Sequence, residues 1–72
     1  SKETSPVYLD DNVDAEEIKG YIRLAKSSKE FYNLADKYKH EIQYLMKNNS
    51  KVYKQLKKVA DAKELELNNV QQ

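Results

Sequence analysis

Residues 31–47 read FYNLADKYKHEIQYLMK. Phe31, Leu34, Ala35, Tyr38, Ile42 and Leu45 recur at steps of three and four, which lays six apolar side chains along one stripe of a helix. Asn33, Asp36, Lys37, Lys39, His40 and Gln43 fall off that stripe. Neither Gly nor Pro interrupts the run, so the spacing predicts one continuous central helix.

A first helix is expected before it. Asp14 is a good N-cap, with Glu17 at the capping-box position and Val13 and Ile18 at the hydrophobic-staple positions. Ile18, Tyr21, Ile22 and Ala25 form its apolar face. Gly20 lies within it and costs about 1 kcal/mol relative to Ala. Gly20 is read either as a tolerated surface residue or as the mark of a close helix crossing. Continuing the Ile18–Ile22–Ala25 stripe at 3.6 residues per turn puts it roughly 140° out of phase with the central stripe. One straight helix cannot bury both, so the chain must break near Ser27 and Ser28. Ser27 then caps the central helix, with Glu30 in the capping-box position.

Asn48-Asn49-Ser50 has the residue types of a second link. A third helix follows from about Lys51 to Asn68, with Val52, Leu56, Val59, Ala60, Lys63 and Leu67 on its stripe and Tyr53 at the edge. Lys63 on an apolar stripe should lie near an end, its stem covering apolar surface. The short link makes the last two helices an antiparallel hairpin. The expected fold is all-α, a small three-helix bundle over residues 13–68. Residues 1–12 are read as a flexible lead-in, broken by Ser5-Pro6, and residues 69–72 as a frayed tail. The core is expected to hold Ile18, Ile22, Ala25, Phe31, Leu34, Tyr38, Ile42, Leu45, Val52, Leu56 and Val59. That is close to the least a small bundle can use, so a homodimer or an added partner helix would help.

Composition excludes several function classes. The 72 residues contain no Cys, so no disulfide, thiolate nucleophile or sulfur-ligated zinc is available. One Gly cannot build a phosphate loop. His40 is the only histidine and lies on the polar side of the central helix, so no nucleophile–base set assembles around it. Asp10, Asp11, Asn12 and Asp14 lack the internal Gly and distal Glu of a calcium loop. No apolar run approaches the roughly 20 residues of a membrane span. The chain is read as non-enzymatic, with no cofactor and no metal.

Charge is distributed unevenly. A net of +1 overall divides into −4 over residues 1–20, +7 over 21–60 and −2 over 61–72. Lys51, Lys54 and Lys58 share the outer face of the third helix, and Lys47 ends the second. Six tyrosines are many for this length. Tyr32, Tyr44 and Tyr53 are placed on flanks or outer faces, and Leu65 on the outer pole of the third helix. Aromatic and apolar contact area rimmed by lysines fits a protein interface. These eight residues are the expected partner-binding set, for an acidic partner or an amphipathic helix. The alternative is nucleic-acid binding by the lysine strip with stacking tyrosines, although Arg23 is the single arginine.

Phe31, Leu34-Ala35, Tyr38, Ile42, Tyr44 and Leu45 together resemble the second helix of MIT (microtubule-interacting and trafficking) domains, three-helix modules of endosomal sorting and membrane remodelling. Ala62, Lys63, Glu64 and Leu65 are similar to the close of that family's third helix. The chain departs from the pattern at Glu41, where a small residue is usual, and in its shorter links. The resemblance implies a groove between helices that receives a short peptide helix from a partner.

Overall fold

The computed structural model describes residues 14–70. The expected lead-in over 1–12, Val13 of the staple, and Gln71 and Gln72 lie outside them. The described residues form four helices: α1 (Ala15–Leu24), α2 (Ser28–Lys37), α3 (Lys39–Asn48) and α4 (Ser50–Val70). The architecture is all-α, as the periodicity predicts. The helix count is four rather than three, because the expected central helix is broken at Tyr38.

The local signals act largely as read. Asp14 Oδ1 accepts the Glu17 N–H at 3.1 Å and starts α1. The Glu17 carboxylate accepts the Tyr21 hydroxyl at 3.5 Å. Ser27 Oγ accepts the Glu30 N–H at 3.1 Å and starts α2. Glu30 reaches back one residue beyond the usual capping box, accepting the Lys26 N–H at 2.8 Å. The first link is therefore residues 25–27, and Ser28 is already helical. The second link is shorter than expected. Asn49 alone separates α3 from α4, donating its N–H to the Leu45 carbonyl at 2.8 Å. Its side chain accepts the Val52 N–H at 3.3 Å, so one residue ends one helix and caps the next. Asn69 and Val70 extend α4 two residues past the expected end.

Tyr38 carries φ −101° and ψ 18°, outside helical geometry. The cause lies in what each half packs on. α2 packs on α1 and α4, whereas α3 packs on α4 and on α2 but not on α1. The Tyr38 ring lies against α1, stacked on Tyr21 at 6.2 Å with 15° between planes. Past that point α1 offers no support, and the chain turns onto α4 alone. The apolar stripe runs through the break without changing phase, so the sequence pattern does not mark it.

Tyr32 in the second turn of α2 donates its hydroxyl to Glu64 late in α4, while the end of α3 adjoins the start of α4. α2 and α3 thus run antiparallel to α4. The end of α1 meets Lys63, also late in α4, so α1 runs parallel to it. α4 touches all three other helices and is the spine of the fold. Ile18, Ile22, Ala25, Phe31, Leu45, Leu56 and Leu67 form the buried core, with Leu34, Tyr38, Ile42, Val52 and Val59 half-buried against it. Leu67 joins the core beyond the expected set. A Cβ built at Gly20 meets nothing within 4 Å, so no close crossing requires that glycine.

Candidate interaction groove

Lys63 is the residue that most departs from its expected place. It is buried against the end of α1, with 8% of its surface exposed. Its stem does cover apolar surface, but the end it lies near is that of α1. Lys63 Nζ donates to the Ala25 carbonyl at 3.1 Å, at the C-cap of α1, and to Glu66 Oε2 at 3.4 Å. A cation there satisfies an orphan carbonyl and opposes the negative end of the helix dipole. A buried ammonium needs such partners, because desolvation without them is costly. The ammonium thus ties α1 to α4 across 38 residues of chain.

Beside that tie an open groove of about 470 Å³ runs between α1 and α4. Lys19 and Arg23 form the α1 bank; Gln55, Lys58 and Glu66 belong to the α4 bank, and Val59 and Ala62 give the floor apolar character. Lys19 pairs with Glu16 at 2.7 Å, and Lys63 is held as described. Among the described residues Arg23 and Lys58 have no ion pair or hydrogen bond, and both are exposed. Among the described residues the groove therefore presents two uncommitted cations, from α1 and from α4, above a partly apolar floor. Arg23 and Lys19 were not singled out by sequence reading. The available signal was their spacing of four, which places both on one edge of α1.

The eight residues expected to bind a partner do not form one surface. Lys51, Lys54, Lys58 and Leu65 fall within about 60° of one another around α4, at 100° per residue. All four are exposed, Leu65 to 62%. Lys47 is exposed near the end of α3. Of this set, Lys58 also lines the groove. The tyrosines lie elsewhere. Tyr53 is half-buried at the edge of the α4 stripe and packs against the core. Tyr44 is half-buried on α3, and its carbonyl accepts the Asn48 side chain at 3.0 Å. Tyr32 is 53% exposed at the α2–α4 seam, set edge-on to Phe31 at 5.0 Å.

Among the described residues three groups are shifted from their ordinary values. Glu64 accepts the Tyr32 hydroxyl and holds that phenol above the usual tyrosine range. Burial, then the charges of Glu17 and Glu41, raise Tyr38. The hydrogen bond to Asp61, at 3.0 Å, and the Asp61 charge raise Lys57. His40 is exposed on α3. Among the described residues no group of three or more His, Cys, Asp or Glu side chains is placed to hold a metal ion, and no helix is long and apolar enough to cross a membrane. No family model, curated protein or solved structure matches this chain.

Proposed function

We propose that this chain is a non-enzymatic helical interaction module that seats an acidic amphipathic helix of a protein partner in the α1–α4 groove. The observation that carries this reading is the pairing of Arg23 with Lys58 across a floor containing Val59 and Ala62. A helix laid in such a groove buries an apolar stripe on the floor and offers carboxylates to both banks. Long-range attraction then steers the encounter, and the apolar contact supplies the residence time. The likeness of residues 31–45 to MIT domains points the same way, since that family receives short helices between its own. The second reading is nucleic-acid binding by Lys47, Lys51, Lys54 and Lys58. The exposed lysines of α4 favour it, but Tyr44 and Tyr53, which would stack on bases, are half-buried.

Amide and methyl chemical shifts during titration with designed helical peptides test the proposal. An amphipathic peptide with Glu on its polar flanks should move Arg23, Lys58, Val59 and Ala62, and its Lys-flanked counterpart should not. Reversing both banks with Arg23→Glu and Lys58→Glu should weaken the acidic peptide at least about tenfold, roughly 1.4 kcal/mol. A short DNA duplex that outcompetes the peptide, with log K falling steeply against log salt, would establish the second reading instead.

A further inference from the structure

A second hollow, of about 130 Å³, lies inside the bundle and owes nothing to the groove. All four helices line it: Ile18 and Ile22 from α1, Phe31 and Leu34 from α2, Ile42 from α3 and Leu56 from α4. Its α2–α3 wall straddles Tyr38, with Phe31, Leu34 and Ala35 before the break and Ile42 after it. The hollow therefore sits opposite the point where the chain changes direction. Ala35 and Lys57, both exposed residues that line it, mark its mouth between α2 and α4.

Size and lining restrict what can enter. Interior hollows of about 150 Å³ walled by Leu, Ile and Phe stay dry and accept benzene-sized guests, because water finds no polar partner there. Packing elsewhere in a protein interior leaves few voids larger than a water molecule. Lys57, the charged residue among those lining the hollow, already has a partner. Lys57 Nζ pairs with Asp61 at 3.0 Å, and Glu64 accepts the Tyr32 hydroxyl. Among the described residues Lys57 is the one cation lining the hollow, and its pairing with Asp61 leaves it poorly placed to hold an anionic head group.

We propose that this hollow is a binding site for a small uncharged apolar molecule, an aromatic ring or a compact branched hydrocarbon, entering between Ala35 and Lys57. The guest replaces empty space with dispersion contacts to the apolar wall side chains and to the ring of Tyr53, which also lines the hollow. It needs no hydrogen bond from the protein. Binding raises the melting temperature by mass action, since the unfolded chain has no such site.

Benzene is the probe, with phenylacetate as a charged molecule built on the same ring. The methyl resonances of Ile18, Ile22, Leu34, Ile42 and Leu56 should shift saturably with benzene. Phenylacetate should bind at least about tenfold more weakly, or about 1.4 kcal/mol. Ala60 lines the hollow and is half-buried, so Ala60→Leu should fill it and abolish the benzene shifts. Should that variant fail to fold, the melting temperature of the unaltered protein must still rise with benzene and stay constant with phenylacetate at equal concentration. Wall methyls that fail to move as benzene approaches its solubility limit, or benzene shifts that persist in a folded Ala60→Leu variant, would overturn the proposal.

Discussion

α4 and the α2–α3 segment are the same length. α4 is one helix of 21 residues, and α2–α3 is ten residues, the turn residue Tyr38 and ten more. Both carry an apolar residue every three or four positions and neither contains Gly or Pro. One is unbroken and the other is bent in its middle. The difference is in the neighbours. α4 has other helices against it along its length and serves as their common floor. The α2–α3 segment loses α1 as a neighbour at Tyr38 and bends to keep its second half on α4. Helix continuity in this fold is therefore a property of what lies alongside, since the intrinsic propensities of the two segments are alike.

The comparison can be broken most directly at the spine. Leu56 is 2% exposed, and Leu56→Ala should destabilise the fold by about 2–5 kcal/mol in chemical denaturation. The matching truncation Ile42→Ala, at a half-buried position on α3, should destabilise it by clearly less. Equal losses at the two sites would remove the distinction between spine and bent partner.

A smaller effect is expected at the tie between α1 and α4. Lys63→Met keeps the stem but leaves the Ala25 carbonyl without its cation. A loss of about 1–2 kcal/mol should follow, with faster hydrogen exchange in the last turn of α1 and little change in α3. Exchange that rises evenly through all four helices would show that the tie is not local.

Gly20→Ala should act in the opposite direction. An added Cβ has open space and the φ is not positive, so the substitution should stabilise by about 0.5–1 kcal/mol. A loss of stability would mean that α1 sits closer to a neighbour than the structure shows.

The smallest effect is at the α2–α4 seam and depends on pH. Because Glu64 raises the Tyr32 phenol, the folded state favours the protonated hydroxyl. The stabilisation is present in full below the usual tyrosine value of about 10 and is lost as pH rises through the higher folded value. Phenolate absorbance, read against Tyr32→Phe, should place this tyrosine's titration above that of an exposed tyrosine. Glu64→Gln should bring it down, and no change in that variant would remove Glu64 as the cause.

Much of the fold is legible in the chain because its signals are local. Asp14, Ser27 and Asn49 each place a side-chain oxygen where the next helix needs an acceptor, and the chain punctuates itself there. The apolar residues at steps of three and four named every core position on α1, α2 and α3. The candidate site was less legible. Lys58 was visible as one lysine in a strip, but its opposite number, Arg23, belongs to another helix. Only the packing of α1 along α4 brings the two to one groove.

The sequence by itself determined an all-α chain, the first two helix starts, a break close to Ser27, and most of the interior. Hydrogen bonds across one turn and a 3.6-residue period are set within a few residues of each position, so they can be read without knowing the rest of the molecule. The tertiary structure alone decided that there are four helices and that α4 is the spine. It also decided that Lys63 is buried against the C-cap of α1, and that Arg23 and Lys58 line one groove. Each of these depends on which surfaces meet across tens of residues, and the apolar pattern is the same whether a helix has one neighbour or three.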